Sequence, residues 1–462
     1  MAVVASRQQP RAPAHRRSRV DGPASFLSIV ARTCPFGDPR RPDPCNSSNM
    51  DLFRTLPPAR APLAVPRLRR LLAAQIPADL ADWLDLVALG TLLAYSWQEG
   101  PTALAFLMLA ISLPYVVLGP AIGVVVDRAD LRVLLVASNV FRALATAAFA
   151  IAPDLPILLT LVALKSSVDA VFTPAKQAAI PLLTPPDRLM AANGLSHTIN
   201  QTTKVAGPAL GGALMIAVEP TVVFFLNAGL SLVAAFLVLG LPSALRPLPD
   251  KSERAGFRSE LRQGITHIRS RPVLATAILA MTIGFLVMFL YDGLIALLVK
   301  EVGYPSSMFG TAIAVLGAGG VVGALLLGQF GERRDPLVLM AFAGITSGIL
   351  VATIGHVGRN DISMPLQLFL TTLFAVRIAC AGLFVPYRTV LQRETPANLL
   401  GRVSAIGEAA IALATLAGPP LGAFLANEAG IASPFLLGGY LTALLGLVLL
   451  AVRHRIGQPD LK

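Results

Sequence analysis

Twelve apolar runs of roughly 20 residues, separated by short polar breaks, limit what this chain of 462 residues can fold into. About 20 apolar residues let an α-helix cross the hydrocarbon core of a bilayer, where the helix satisfies its own backbone hydrogen bonds. Only 14% of the residues are charged, against about 25% in soluble domains. A soluble enzyme, a nucleic-acid-binding protein and a disordered chain are excluded. The sequence predicts an all-α membrane protein with twelve transmembrane helices, at residues 71–97, 102–126, 131–152, 155–183, 189–215, 219–242, 273–298, 306–330, 335–356, 363–386, 401–426 and 432–453.

Basic residues are concentrated in alternate loops between the predicted spans. The break at 243–272 carries seven Arg or Lys residues, whereas the loops on the opposite side hold only Lys300 and Arg359. Loops rich in Lys and Arg remain in the cytoplasm. We therefore expect a multi-pass protein of the cell membrane with both termini and the 243–272 break in the cytoplasm.

Three motifs recur in the second half of the chain at nearly one offset, 205 to 212 residues. Such a repeat predicts two pseudo-symmetric six-helix halves with a substrate site between them near the membrane midplane. The matching pairs are Gly123-x-x-x-Asp127-Arg128-x-Asp130 with Gly328-x-x-x-Glu332-Arg333-x-Asp335, Phe172-x-Pro174-x-Lys176 with Phe384-x-Pro386-x-Arg388, and Gly207-Pro208-x-Leu210-Gly211 with Gly418-Pro419-x-Leu421-Gly422.

The N-terminal tail accounts for most of the basic charge. Residues 1–70 contain 13 Arg and four Asp, which supplies +9 of the formal net charge of +12, so nucleic-acid binding need not be invoked. Met50 is an alternative to Met1 as the start of translation, and in that case residues 1–49 would be a dispensable extension. The expected organisation is a disordered Arg/Pro-rich tail at 1–66, six-helix halves at 67–242 and 273–455, a cytoplasmic amphipathic linker at 243–272 and a cytoplasmic tail at 456–462.

Several stretches resemble the major facilitator superfamily, in the branch that holds drug, macrolide and enterobactin exporters. The segment 123–132 is similar to the family's cytoplasmic loop motif, and 193–212 is similar to the helix-5 antiporter motif. Asp169-Ala-Val-Phe172-Thr-Pro174-Ala-Lys176 resembles the branch itself. The resemblance, which covers residues 68–455, implies alternating access with protons as the coupling ion, and it places Asp82 where many of these exporters carry a helix-1 aspartate.

Ionisable groups inside the spans are the candidates for proton coupling, because each costs about 2.5–3.5 kcal/mol at mid-bilayer. On the first span three aspartates and Gln75 share about 120° of one helical face. A carboxylate there can take a proton from one side and release it to the other. Asp79 or Asp85 can instead simply cap or pair within the bundle. The proton-coupling candidates are Asp82, Asp79, Asp169 and Glu408.

Other polar side chains in the spans are expected to line a water-filled cavity or to balance charges. Lys165 and Asp169, four residues apart, form either a neutralising pair or one that breaks on proton or substrate binding. Lys204 can line the cavity or balance a carboxylate. His197 and Glu408 are 211 residues apart, which is the offset of the repeat, so His197 and Glu408 could face the same cavity. Arg142 is expected to be a structural partner for motif carboxylates. The cavity candidates are Gln75, Asn193, His197, Gln201, Lys204 and Asp292.

Two motifs are expected to move with the transport cycle rather than to touch substrate. Charge-assisted bonds at helix ends would latch the cytoplasmic face; the residues of this gating motif are Gly123, Asp127, Arg128, Asp130, Arg132, Glu332 and Arg333. The antiporter-like motif allows either close helix packing or a bend that seals against leakage; its residues are Gly207, Pro208, Gly211 and Gly212.

No catalytic pattern is present in the sequence: it has no phosphate-binding loop, no HExxH and no Gly-x-Ser-x-Gly elbow, and its three cysteines form no zinc pattern. We expect no enzyme activity, no cofactor and no metal. The expected function is proton-coupled efflux of hydrophobic or amphipathic small molecules by a monomer in the lipid bilayer, without nucleic acid. Two alternatives are a dedicated exporter of one metabolite, such as a siderophore or lysophospholipid, and a non-transporting membrane sensor or scaffold.

Overall fold

The computed structural model describes residues 65–185, 188–243, 245–246, 257–331, 334–360 and 364–456, and its long elements there are all helices. In the first half these are α1 Pro66–Thr91, which continues through a π-helical turn at Leu92–Ser96, α2 Pro101–Arg128, α3 Leu131–Phe149, α4 Leu155–Leu183, α5 Leu189–Ala217 and α6 Pro220–Leu239. A linker helix, α7 Phe257–Ser270, precedes the second half. There, α8 Pro272–Tyr291 continues through a 3₁₀ turn at Asp292–Leu294 into α9 Ile295–Glu301, followed by α10 Ser307–Phe330, α11 Pro336–Arg359, α12 Leu366–Glu394, α13 Ala397–Ala429 and α14 Ala432–Ile456.

Within the described part of the chain, ten helical segments are long and apolar enough to cross a membrane. They confirm ten of the predicted spans, whereas α1 and α5 are too polar to qualify. Both helices nevertheless match predicted spans in position and pack against each other inside the first half. Several polar residues of α1, including Gln75, Asp79 and Asp85, are buried within the bundle. For α1 and α5 a membrane crossing stays a prediction.

Helix packing repeats between the halves, as the sequence motifs predict. The contacts α1–α5, α1–α6, α2–α4, α3–α4 and α3–α6 recur as α8–α13, α8–α14, α10–α12, α11–α12 and α11–α14. The halves meet through α5 with α10 and through α2 with α13, which are also equivalent pairs. The internal duplication is therefore present in the architecture.

The two halves share one hydrophobic core at the end of the bundle away from α7, here called the distal end. Val87 and Phe224 of the first half belong to the same buried cluster as Leu298 and Phe309 of the second. At the other end, the linker end, each half has a separate core, around Leu72 in the first and Met340 in the second. The bundle is therefore closed at the distal end and divided at the linker end.

Polar contacts between the halves also lie at the distal end. The Tyr95 hydroxyl donates to the carbonyl oxygen of Tyr304 at 3.1 Å, and Lys300 Nζ donates to the carbonyl oxygen of Ala94 at 2.7 Å. The Asn427 amide donates to the Thr102 hydroxyl at 2.8 Å. These bonds tie the distal loops and helix ends of one half to those of the other.

The linker helix α7 is held by the second half. The Arg402 guanidinium donates to Gln263 Oε1 at 2.6 Å, and His267 Nε2 lies 2.9 Å from the carbonyl oxygen of Glu394. Leu261 and Ile265 of the predicted apolar face remain exposed. These apolar side chains are consistent with the expected position of the linker on the membrane surface, which stays a prediction.

Candidate functional site

Three helices of the first half bring five charged side chains together inside the bundle. Asp82 and Asp85 are three residues apart on α1, and Lys165 and Asp169 are four apart on α4, so each pair projects from one helical face. The packing of α3 against α4 adds Arg142, which is fully buried. We call these five residues the charge cluster.

Both cations of the charge cluster bridge more than one carboxylate. Lys165 Nζ lies 3.1 Å from Asp82 Oδ1, 3.1 Å from Asp85 Oδ2 and 2.8 Å from Asp169 Oδ2. Arg142 Nη2 donates to Asp82, and Arg142 Nε lies 2.7 Å from Asp169 Oδ1. The predicted Lys165–Asp169 contact is thus present, but as part of a larger network.

Neutral hydrogen-bonding groups fix the buried members of the charge cluster in place. Asn227 of α6 donates from its amide to Asp85 and, at 2.8 Å, to the carbonyl oxygen of Ala81. The Thr146 hydroxyl donates to Asp85 Oδ2 at 3.3 Å. Arg142 Nη2 also donates to the carbonyl oxygen of Ala78 at 3.1 Å. These bonds connect α1 to α3 and α6.

The charge cluster contains one more carboxylate than cation, so its formal charge is −1 when all five groups are ionised, and one proton makes it neutral. Asp82 is 44% exposed, whereas Asp85 and Asp169 are 6% and 8% exposed. All three carboxylates line a pocket of about 220 Å³ together with Tyr115 of α2, and Asp82 is the most exposed of them. Among the cluster carboxylates, Asp82 is the one that water and protons reach most readily.

Asp79 lies in a second polar group, one turn nearer the linker end of α1. Its Oδ2 accepts hydrogen bonds from Gln75 at 2.9 Å and from Asn200 at 3.3 Å, and its Oδ1 lies 3.8 Å from Lys176 Nζ. The Ser196 hydroxyl donates to Gln75 Oε1 at 2.8 Å. This group connects α1, α4 and α5, and it binds Gln75 and Asp79 into helix packing rather than into a cavity wall.

A central cavity of about 460 Å³ lies between the halves and includes three of the predicted cavity residues, Gln201, Lys204 and Asp292. Asp292 accepts a hydrogen bond of 2.7 Å from Arg377 Nη2 of α12. Most of the remaining lining is apolar, and Trp83 and Leu86 line both this cavity and the Asp82 pocket. The apolar side chains of the lining include Trp83, Leu86, Ile313, Leu316, Phe384 and Val385.

The structure places several predicted site residues outside the central cavity. Asn193 and His197 are exposed on the part of α5 nearest the linker end. Glu408 Oε1 pairs with Arg388 at 2.7 Å, and both side chains are more than half exposed. Neither His197 nor Glu408 is among the described residues that line the central cavity.

Arg142 pairs with two carboxylates, one of which, Asp169, belongs to the motif at 169–176. Its ion-pair partners among the described side chains are Asp82 and Asp169, deep in the bundle, rather than Asp130 of the loop motif. The reason is geometric: Arg142 lies three turns into α3 from Asp130, so its guanidinium reaches α1 and α4 rather than the linker end.

The gating motif is described in part. Asp130 begins α3 by accepting a hydrogen bond of 2.9 Å from the backbone N–H of Arg132, and Asp335 does the same for Leu337 at the start of α11. Arg128, the last residue of α2, is exposed. Gly123 and Asp127 belong to the last two turns of α2. Glu332 and Arg333 lie outside the described residues. The motif carboxylates Asp130 and Asp335 act as equivalent helix caps.

The antiporter-like motif forms close helix contacts on two sides of α5. A Cβ atom on Gly207 would lie 2.5 Å from Trp83 Cβ, and one on Gly211 would lie 3.0 Å from Val87 Cβ, both on α1. A Cβ on Gly212 would lie 2.8 Å from the carbonyl oxygen of Ser307, which belongs to the other half. Pro208 lies within the helix between these glycines. These distances support the close-packing interpretation of the motif.

Sequence reasoning missed residues whose role depends on neighbours. Tyr115 and Trp83 line the pockets, but as aromatic residues of apolar helices they carry no distinguishing pattern. Asn227 could have been noticed, because it is the one amide in the otherwise apolar α6. It is fully buried, and its contact with Asp85 joins the sixth helix to the charge cluster.

Comparison with known proteins agrees with this architecture. A sequence-family model described as Major Facilitator Superfamily matches residues 71–365 of this chain. The chain is 29% identical over 387 residues to the uncharacterized MFS-type transporter YfiS of Bacillus subtilis, covering 83% of this chain and 92% of that protein. It is 27% identical over 370 residues to macrolide efflux protein A of Streptococcus pyogenes, and the match covers 76% of this chain and 87% of that protein. It is 26% identical over 374 residues to the putative bacilysin exporter BacE of Bacillus amyloliquefaciens, covering 77% and 88%.

Solved structures show the same fold at low sequence identity. The nucleoside transporter NupG superimposes with a TM-score of 0.70 at 9% identity, covering 83% of this chain and 98% of that one. A bacterial homologue of the lysosomal transporter Spinster, in an inward-facing and unoccupied conformation, has a TM-score of 0.62 at 15% identity, covering 84% and 96%. The chain is therefore a multi-pass membrane transporter that belongs to the major facilitator superfamily.

Proposed function

We propose that this transporter couples proton entry to the export of hydrophobic or amphipathic small molecules by alternating access. The observation that carries the proposal is the charge cluster, in which three carboxylates face two cations inside the bundle. An unbalanced carboxylate is expensive away from water. Uptake of one proton removes the imbalance, so the protonation state changes the energy of the whole cluster.

Asp82 is the proposed proton acceptor, because its carboxylate combines exposure to a pocket with contacts to both cations. Its protonation weakens its attraction to Arg142 and Lys165, and these cations then interact with Asp169 and Asp85 alone. Because the contacts connect α1, α3 and α4, a change in them alters how these helices pack. Asp79 and Asp169 are the supporting candidates, and Glu408 remains one on sequence grounds alone.

We infer the orientation of the bundle from its loops, and the direction of transport from the names of its relatives. The linker end carries most of the basic loop residues, so we place it in the cytoplasm. The hydrophobic cores are separate at that end and shared at the distal end, which supports a state that is open towards the cytoplasm. The names of two relatives, macrolide efflux protein A and the putative bacilysin exporter BacE, support export.

The central cavity supports cargo that is mainly apolar. Its wall is built largely from aromatic and aliphatic side chains with four polar side chains, which suits an amphipathic molecule better than a sugar. The cavity, the charge cluster and both halves belong to one chain, so we infer that a monomer performs the cycle.

The test is an efflux assay in cells that express the transporter, with a lipophilic cationic dye and an amphipathic carboxylate dye, each measured with and without a protonophore. We expect protonophore-sensitive efflux of at least one dye and its loss in Asp82→Asn. The matched control is Asp154→Asn, because Asp154 caps α4 outside the cluster and Asn caps a helix equally well.

Efflux that persists in Asp82→Asn, with its protonophore sensitivity unchanged, would contradict the coupling role of Asp82. If neither dye leaves faster than from empty cells despite good membrane expression, broad export is refuted. A dedicated exporter of a single metabolite would then be the better proposal, in line with the name of BacE.

A further inference from the structure

We propose that the central cavity binds the acidic group of its cargo at Lys204, so that the preferred cargo is an amphipathic molecule with a carboxylate or a similar anion. This inference rests on the proposed export function and specifies its substrate class. The geometry that carries it is an ammonium group in the wall of a largely apolar cavity, for which the described part of the chain provides no carboxylate within ion-pair distance.

The other two charges of the cavity satisfy each other. Arg377 Nη2 lies 2.7 Å from Asp292 Oδ1, and Arg377 Nη1 lies 3.7 Å from Met288 Sδ. Counting Lys204, the lining therefore carries a formal charge of +1. A cationic cargo would have to separate the Asp292–Arg377 pair to find a counter-ion, whereas an anionic cargo needs no rearrangement.

No carboxylate of the described residues lies within 4 Å of Lys204 Nζ. Asp79 attracts Lys204 over a longer distance, but the oxygens of Asp79 are already engaged by Gln75, Asn200 and Lys176. Burial of half of an ammonium group costs free energy of desolvation, and part of this cost is compensated only when an anion binds to the group. The cavity thus has an unfilled position for a negative group.

Lys204 also lies where the two halves touch. A Cβ atom on Gly317 of α10 would lie 2.9 Å from the carbonyl oxygen of Lys204. An anion at Lys204 Nζ would therefore leave the apolar part of its molecule against the second half, where Ile313, Leu316 and Phe384 line the wall. One cargo molecule would contact both halves, as a transporter of this architecture requires.

The charge cluster is kept apart from this position. Trp83 and Leu86 line both the cavity and the Asp82 pocket, so they stand between the excess negative charge of the cluster and the cargo. An anion at Lys204 is therefore not in direct contact with Asp82. Separate sites allow the proton and an anionic cargo to bind without competing for one side chain.

Trp83 provides a direct reporter of binding, because the chain has only two tryptophans. In a Trp97→Phe background, the purified full-length protein in lipid nanodiscs is titrated with 4-(4-nitrophenyl)butyrate, whose nitrophenyl ring quenches tryptophan fluorescence. The corresponding amide and amine, which have the same carbon chain, are titrated in parallel. We expect the carboxylate to bind about tenfold more tightly than the amide, because one hydrogen bond to a charged group contributes about this much affinity. The amine should bind more weakly than the amide.

Three variants assign the preference to the ammonium group. Lys204→Met keeps the length and apolar character of the stem and should abolish the difference between carboxylate and amide, whereas Lys204→Arg should retain it. Lys300→Met is the matched control, because Lys300 binds backbone and Gln98 at the distal end, outside the cavity. It should leave the preference unchanged.

Two results would overturn the proposal: equal or tighter binding of the amine than the carboxylate, or an unchanged carboxylate preference in Lys204→Met. Circular dichroism and gel filtration of each variant verify folding. Because the titration needs no ion gradient, it is independent of the efflux assay. Efflux without carboxylate preference refutes the substrate class alone, and carboxylate binding without efflux refutes the export function alone.

Discussion

Replacement of Arg142 by methionine should be one of the most destabilising single changes in the first half. The guanidinium is fully buried and contacts Asp82, Asp169 and the carbonyl oxygen of Ala78. Arg142→Met changes the formal charge of the cluster from −1 to −2 and leaves Lys165 as its only cation. Removal of one partner from a buried ion pair costs about 3–5 kcal/mol. We expect the free energy of unfolding, measured by SDS titration in mixed micelles, to fall by about this amount.

The second variant separates charge imbalance from lost packing. Arg142→Met combined with Asp169→Asn restores the formal charge to −1, so we expect the double variant to recover about half of the loss or more. The control is Arg377→Met, which breaks the Asp292 pair; those side chains are 24% and 28% exposed, so its loss should be about 1 kcal/mol. Wild-type stability of Arg142→Met, or a further loss on adding Asp169→Asn, would refute the charge-balance reasoning.

Two further predictions concern close helix contacts. Gly422→Ala would press a Cβ against the carbonyl oxygen of Leu290, so it should lower stability by about 1–3 kcal/mol in the same titration. Gly229→Ala, whose Cβ would meet none of the described atoms within 4 Å, should not, and equal effects would contradict the packing. Gly310→Ala would press a Cβ against the backbone of Gly212 on α5 of the other half, so it should favour a distal end that opens. Maleimide labelling of Ala94→Cys, a fully buried distal position, in a cysteine-free background should increase in Gly310→Ala, and unchanged labelling would contradict this.

The repeat of helix packing could be predicted from the sequence because each motif marks an equivalent helix. The two copies of the loop motif, Gly-x-x-x-Asp-Arg-x-Asp and Gly-x-x-x-Glu-Arg-x-Asp, end in Asp130 and Asp335, and both of these aspartates cap the next helix. Short-range chemistry of this kind depends on residues close in the chain. The ten spans found by length and apolar character follow from local composition in the same way.

The partners of the charged side chains could not be predicted. Asp82 and Arg142 are 60 residues apart, and Asp85 and Asn227 are 142 apart, so their contacts depend on how α1, α3 and α6 are packed. For the same reason, helical periodicity placed Asp79 and Asp82 on one face, while the structure separates them into two groups with different cations. His197 and Glu408 are equivalent in the repeat, yet neither is among the described residues that line the central cavity, and Glu408 pairs with Arg388.

The sequence by itself therefore determined the membrane class, the helix positions and the duplication, since these follow from hydropathy and from spacing within single helices. Only the tertiary structure decided that the bundle is closed at the distal end, that five charges form one cluster with an excess carboxylate, and that Lys204 faces the cavity with no carboxylate of the described residues within ion-pair distance. Charge balance and cavity lining are properties of several helices at once. They depend on which faces of those helices meet, and a single helix does not specify its neighbours.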